Sequence, residues 1–214
     1  MPAERGPSQP ALGEGFGLDL RLHFLVPADP AWLPRVEAAI SGGVSVVQLR
    51  AKGTDDRTLL AVGQKLRELT DHRGVSLVVN DRPDLALLLE ADGVHLGQSD
   101  LPVHEVRRLV GSSLQIGLST HSLSEAIEAC EQPVDYLAFG PVFSTRSKQA
   151  VAPTTGLRTL AEVTKRATKP VVAIGGISSA NSARIREAGA VGLAVIEALA
   201  LAPDPAKEAQ ALLA

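Results

Sequence analysis

Residues 115–142 read QIGLSTHSLSEAIEACEQPVDYLAFGPV, and this stretch decides the fold of the chain. It begins with an apolar run at 115–120, continues with a helix-period segment at 122–130, and ends with a second apolar run at 136–142. Apolar runs of this length fit strands that are buried on both faces of a sheet. Two such strands with a helix between them form a parallel pair, so the stretch predicts one strand–helix–strand unit.

The same alternation extends along most of the chain. Eight apolar runs are candidate strands, at 20–26, 44–50, 75–81, 93–98, 115–120, 136–142, 171–176 and 191–196. Helix-period segments separate most of them, at 32–40, 58–70, 103–110, 122–130, 156–166 and 179–188. Strict alternation implies parallel strands joined by right-handed crossovers, and eight units predict a single (β/α)8 barrel. An open doubly wound sheet is the alternative, but no G-x-G-x-x-G follows the first run.

The remaining sequence predicts the domain layout and location. Residues 1–18 mix proline, glycine and charge without periodicity, so we expect a flexible leader followed by a barrel domain at 19–214. No apolar stretch approaches the ~18 residues of a membrane span, and no signal-peptide core is evident, so a cytoplasmic location is expected. The single cysteine, Cys130, has no partner for an internal disulfide and is interpreted as a packing residue.

Composition argues against two classes of partner. The formal net charge is -3 and only 3% of residues are aromatic, so neither nucleic acid nor a membrane is expected to bind. Any anion site must therefore be built locally. In a barrel of this kind such a site lies at the C-terminal ends of the strands.

The second run ends in three polar side chains, Gln48, Arg50 and Lys52. Residues at i, i+2 and i+4 share one face for as long as strand geometry continues. An amide with a guanidinium and an ammonium suits a polyanion such as a phosphorylated ligand. The alternative is an ordinary solvated strand end.

The third and fourth runs lead into two carboxylates, Asp81 and Asp100, with Asn80 directly before the first. Two carboxylates beside a cationic cluster suggest Mg²⁺ shared with a phosphate, because this ion is usually held by one or two carboxylates and substrate oxygens. Both aspartates would equally suit the N-caps of the helices that follow, and spacing alone leaves the two roles open.

Two further segments are candidate phosphate sites. The sixth run leads into a polar, basic loop, 140–148, and Gly175–Gly176 precede the segment 179–188. Glycines ahead of a helix expose backbone N–H groups that favour phosphate, although tight packing also requires glycine. The loop fits a clamp over the site or an ordinary solvated connection. His23 and His95 match no metal-binding motif and are interpreted as structural.

Seven motifs in this order resemble the thiamine phosphate synthase family across residues 20–200. They are VVQLRAK (46–52), VVNDRPDLAL (78–87), ADGVHLGQSD (91–100), IGLSTHS (116–122), DYLAFGPVFSTRSK (135–148), VVAIGGI (171–177) and GLAVI (192–196). The resemblance implies that a hydroxymethylpyrimidine diphosphate and a thiazole monophosphate combine to give thiamine phosphate and pyrophosphate. It also makes a homodimer plausible.

The resemblance implies a role for each matching position. The pyrimidine diphosphate would be bound at Gln48, Arg50, Lys52, Asn80 and Lys148, with Ser119 as a further contact, and Mg²⁺ at Asp81 and Asp100. The thiazole phosphate would be held at Thr145, Ser147, Gly176 and the backbone near Ile196. Arg50, Lys52 and Lys148 would act catalytically by stabilising the leaving pyrophosphate, and no dedicated general base is required.

Two positions depart from the family pattern. Glu197 stands where a hydroxyl residue is usual, and Ser147 replaces a usual threonine. A related branch of thiazole tautomerases is the main alternative, but it commonly has histidine where this chain has Pro141, and its Gln-x-Arg-x-Lys motif is often altered. A non-catalytic sensor of phosphorylated ligands is the second alternative, and it would not need two carboxylates placed for a metal.

Overall fold

The computed structural model describes residues 17–50, 52–145 and 153–214. Eight parallel strands close into a barrel in sequence order, with β1 paired to both β2 and β8. The strands are β1 (Leu22–Val26), β2 (Val46–Leu49), β3 (Ser76–Asn80), β4 (Gly93–Leu96), β5 (Gln115–Thr120), β6 (Tyr136–Phe139), β7 (Val171–Ile174) and β8 (Gly192–Val195). The predicted (β/α)8 barrel and all eight predicted strands are confirmed.

Helices alternate with the strands around the outside of the barrel. They are α1 (Leu33–Ser41), α2 (Asp56–Arg73), α3 (Pro83–Leu88), α4 (Val103–Val110), α5 (Leu123–Cys130), α6 (Gly156–Arg166), α7 (Ser182–Glu187), α8 (Glu197–Ala200) and α9 (Pro205–Leu213). All six predicted helical segments contain a helix, but α7 is shorter than the predicted 179–188. No helix in the part of the chain that the structure describes is long and apolar enough to cross a membrane.

Local signals set the helix ends. Asp55 caps α2 by accepting a hydrogen bond from the Thr58 amide at 3.0 Å, and Gly74 ends the same helix in the left-handed region. Asp204 caps α9 in the same way through the Lys207 amide. Cys130 ends α5 and packs against the core, as the sequence predicted.

The strands divide the core into two parts. Leu22, Phe24 and Val26 of β1 point outward and join the large apolar cluster between barrel and helices. The alternate residue Leu25 points inward and joins a small cluster with Tyr136 and others inside the barrel. The interior is partly polar, because His23, Gln48 and His95 are also buried there. This polar interior forms the floor of the site described next.

The last structural elements close the barrel onto the first. β8 pairs with β1, and α9 packs closely on α1, where a Cβ at Gly42 would overlap the Ala206 backbone. Arg35 on α1 donates to the Leu199 carbonyl at 3.1 Å and to the Ala202 carbonyl at 2.7 Å. The first and last strand–helix units of the barrel therefore pack directly against each other.

Candidate active site

The C-terminal ends of the strands surround a narrow cavity of about 20 Å³. Arg50 and Asn80 line it from the ends of β2 and β3, while Gln48 is buried further down. The floor is formed by the buried side chains of His23, His95 and Tyr136, with Ser119 beside them. Four of the predicted site residues, Gln48, Arg50, Asn80 and Ser119, are thus brought together around one cavity.

Two larger hollows of about 220 Å³ each adjoin this cavity and share residues with it. Arg50 also lines the first, together with Trp32 and Ile196. Asn80 also lines the second, together with Lys52 and Asp81. β2 ends at Leu49, so Lys52 lies beyond the strand rather than on a continued strand face, but it still reaches this end of the barrel.

Asp81 occupies a strained and partly buried position after β3. Its φ of 64° lies in the left-handed region, and its amide donates to the His95 carbonyl at 2.8 Å. Lys52 Nζ lies 3.5 Å from Asp81 Oδ2. Burial and the neighbouring Asp100 carboxylate nevertheless raise the pKa of Asp81 to about 6. The two carboxylates therefore approach each other closely enough to disfavour double ionisation.

Neither aspartate caps a helix. The residue at the N-cap of α3 is Arg82 and that of α4 is Pro102, and neither helix has a side-chain cap hydrogen bond. Asp100 instead turns back and accepts a hydrogen bond from the Gly97 amide at 2.6 Å. The capping alternative is therefore wrong for both residues.

The aspartate pair is chemically suited to Mg²⁺. Within the described ranges no group of three or more His, Cys, Asp or Glu side chains forms a complete metal cage. Mg²⁺ is usually bound by one or two carboxylates together with substrate phosphates and water. Two mutually repelling carboxylates beside a cationic pocket fit that pattern, and the metal role of Asp81 and Asp100 stays a prediction.

Ser119 is held in place from two sides. Its Oγ lies 2.9 Å from His95 Nε2, and its carbonyl accepts a hydrogen bond from Gln98 Nε2 at 2.6 Å. His95 Nδ1 lies 3.1 Å from the Tyr136 hydroxyl. His23 and His95 are buried, as expected of structural residues. Tyr136 was not predicted from the sequence, because β4, β5 and β6 bring the side chains of His95, Ser119 and Tyr136 together only through their register.

The glycine pair after β7 packs tightly against the segment after β6. A Cβ on Gly175 would lie 2.5 Å from Pro141, and one on Gly176 would overlap the Ser144 carbonyl. Close packing thus accounts for both glycines, and α7 begins only at Ser182. The same contact brings the segment that leads to Thr145 next to Gly176, which is the pairing that the phosphate prediction requires.

The other predicted thiazole-phosphate positions are only partly described. Ile196 is the N-cap of α8, and Glu197 is exposed at the start of that helix. Ser147 and Lys148 lie outside the described residues, so their predicted contacts stay predictions.

Comparisons with known proteins bear directly on this site. The family model described as thiamine monophosphate synthase matches residues 23–199. The chain belongs to this family. A thiamine-phosphate synthase of Chloroflexus aurantiacus is 46% identical over 83% of this chain and 82% of that protein. One of a Roseiflexus species is 46% identical over 83% of this chain and 75% of that protein.

A solved structure agrees with the family assignment. Thiamine phosphate pyrophosphorylase from Pyrococcus furiosus is 36% identical, covers 91% of this chain and 94% of its own, and superposes with a TM-score of 0.82. This member of the thiamine monophosphate synthase family therefore has the same barrel fold as that solved structure, with the strand-end motifs on it.

Proposed function

We propose that this protein is a transferase that condenses 4-amino-2-methyl-5-hydroxymethylpyrimidine diphosphate with thiazole phosphate, giving thiamine phosphate and pyrophosphate. One observation carries the proposal: Gln48, Arg50 and Asn80 surround a cavity at the end of the barrel where Asp81 and Asp100 form a carboxylate pair. The relatives that are 46% identical carry the name of this activity.

The arrangement suits the chemistry of this condensation. The thiazole nitrogen attacks the pyrimidine methylene carbon, a C–N bond forms, and the C–O bond to the diphosphate breaks with its electron pair on the leaving oxygen. Arg50 at the cavity and Lys52 beside it place positive charge where the diphosphate would gain negative charge. The buried Gln48 amide and Asn80 offer neutral polar contacts to the pyrimidine diphosphate.

Asp81 and Asp100 are the residues that would hold Mg²⁺. When bound, the metal would neutralise charge on the leaving pyrophosphate. The Asp81 amide is held by a hydrogen bond to the His95 carbonyl and its partly buried carboxylate does not cap a helix, which supports this role. Thr145, Ser147, Gly176 and the backbone at Ile196 would bind the thiazole phosphate, and Lys148 would join the diphosphate contacts.

The first test measures pyrophosphate release from the purified protein with both substrates and Mg²⁺, omitting each component in turn. We expect release only when all three are present. Arg50→Ala should raise KM for the pyrimidine diphosphate, whereas Arg108→Ala, which removes an exposed arginine of α4, should leave it unchanged. Release without the thiazole phosphate, or none at all from folded protein, would contradict the proposal and direct the next assay to thiazole tautomerisation.

The cellular location and the oligomeric state of the protein belong to the same proposal. A synthase of small metabolites would work in the cytoplasm as a homodimer. Fractionation of cells and light scattering of the purified protein test these two expectations separately.

A further inference from the structure

Three side chains below the candidate site form a continuous buried chain of hydrogen bonds. Tyr136 Oη lies 3.1 Å from His95 Nδ1, and His95 Nε2 lies 2.9 Å from Ser119 Oγ. Tyr136 is 2% exposed and His95 5% exposed, while Ser119 at the upper end is only half-buried. The chain therefore runs from the closed interior of the barrel to a side chain that faces the cavity.

The fold reserves space for this chain. Gly117 lies on β5 beside His95 of β4 and Tyr136 of β6 in the strand register. A Cβ at Gly117 would overlap the Tyr136 ring and His95 Nδ1. The glycine is thus what lets the tyrosine hydroxyl reach the imidazole inside the barrel.

The buried Tyr136 hydroxyl determines which atom donates in each of these hydrogen bonds. Burial raises the pKa of Tyr136, so its hydroxyl keeps its proton. Among the described residues, His95 Nδ1 is the one hydrogen-bond partner of this hydroxyl. A buried donor left without an acceptor is costly, so Tyr136 donates to Nδ1. His95 then carries its own proton on Nε2 and donates it to Ser119 Oγ.

We propose that Tyr136 and His95 are positioning residues that fix Ser119 as a hydrogen-bond donor toward the pyrimidine diphosphate. Because Ser119 Oγ accepts from His95, its own O–H is directed away from the imidazole and toward the cavity. It would meet an acceptor atom of the substrate, either a ring nitrogen or a diphosphate oxygen. This inference rests on the proposed function for the identity of the ligand, and it assigns a positioning role to two residues of the cavity floor.

A double-mutant cycle tests whether Tyr136 acts through Ser119. Tyr136→Phe keeps the ring and removes only the hydroxyl, and Ser119→Ala removes the receiving group. We expect Tyr136→Phe to lower kcat/KM for the pyrimidine diphosphate about five- to tenfold in the wild-type background, as for the loss of one hydrogen bond. In the Ser119→Ala background the same change should cost less than about twofold.

Thr120→Val supplies the matched control. This substitution removes a buried hydroxyl from the residue that follows Ser119 on β5. The Thr120 hydroxyl donates to the Ala138 carbonyl at 3.3 Å and makes no hydrogen bond to Tyr136, His95 or Ser119. Thr120→Val should change kcat/KM less than about twofold in either background. Equal losses for Tyr136→Phe in both backgrounds, or no loss in the wild type, would overturn the proposal.

The imidazole tautomer gives a readout that does not need turnover. In protein labelled with ¹⁵N-histidine at about pH 8, the protonated and bare ring nitrogens of a neutral histidine have well-separated shifts. The His95 signals, assigned with His95→Gln, should show a proton on Nε2 in the wild type and a changed shift at Nδ1 in Tyr136→Phe. A proton on Nδ1 in the wild type would refute the inference. Absence of pyrophosphate release would instead refute the proposed function and leave this measurement valid.

Discussion

Asp81→Asn should make the protein more stable when no metal is bound. With Mg²⁺ and both substrates present, the same substitution should remove most of the pyrophosphate release. The pKa of Asp81 is raised to about 6 by burial and by Asp100, although Lys52 opposes the shift. An acid whose folded-state pKa lies above its unfolded value destabilises the fold where it is ionised. The cost is therefore complete above about pH 6 and disappears as the pH falls toward 4.

The size of the effect follows from the same shift. A rise from 3.8 to about 6 corresponds to about 3 kcal/mol at about 1.4 kcal/mol per pH unit. The side chain is 23% exposed, and solvent screening reduces this value to about 1–2 kcal/mol. Asparagine also tolerates the left-handed backbone at this position, so the substitution adds no backbone strain.

Urea unfolding in EDTA at about pH 7.5 and pH 4.5 measures the gain. We expect Asp81→Asn to be about 1–2 kcal/mol more stable at the higher pH, with a smaller gain at the lower one. Its pyrophosphate release should fall at least about 100-fold. Asp84→Asn is the control, because Arg82 hydrogen bonds lower the pKa of Asp84, so this change should lower stability or leave it unchanged and keep activity. A less stable Asp81→Asn, or a fully active one, would refute the reasoning.

Three further predictions concern residues away from the carboxylate pair. Burial lowers the pKa of His23 to about 3, so urea unfolding should show the wild type losing about 2 kcal/mol of stability relative to His23→Gln between about pH 6.5 and pH 5. Arg107→Ala breaks the 2.5 Å ion pair with Asp135 and should lower the free energy of unfolding by about 2–3 kcal/mol with kcat unchanged. Gly117→Ala should lower stability by about 1–3 kcal/mol and also reduce kcat/KM, because its methyl group displaces Tyr136, and retained activity would contradict this.

The strands were predictable because barrel strands are buried on both faces. Each of the eight apolar runs contains a strand, and most strands stop one to three residues before the run does, where polar or glycine residues begin. Gln48 and Arg50 share one cavity as the strand-face rule predicted. This part of the fold depends on local composition, which a single sequence displays.

The short helices were harder to predict from the sequence. α3 has six residues, too few to establish a helical period, and α8 has four. The start of α9 has a clear sequence signal, the N-cap Asp204 followed by Pro205, although no helix was predicted there.

The site could be predicted only as far as strand ends allow. The rule that barrels bind ligands at these ends predicted that Gln48, Arg50, Asn80 and Ser119 lie together, as they do around the cavity. It could not decide whether Asp81 and Asp100 cap helices. The contacts among Tyr136, His95 and Ser119 depend on the register of three strands, which no local pattern encodes.

The closure of β8 onto β1 has a consequence for synthesis on the ribosome. β1 emerges before β8, yet one of its two pairing partners is β8, about 170 residues later in the chain. Until then the edge of Leu22–Val26 stays open, and α1 lacks the cover of α9. A stalled or truncated chain would expose an apolar strand edge, the kind of surface on which nascent proteins aggregate and which chaperones protect.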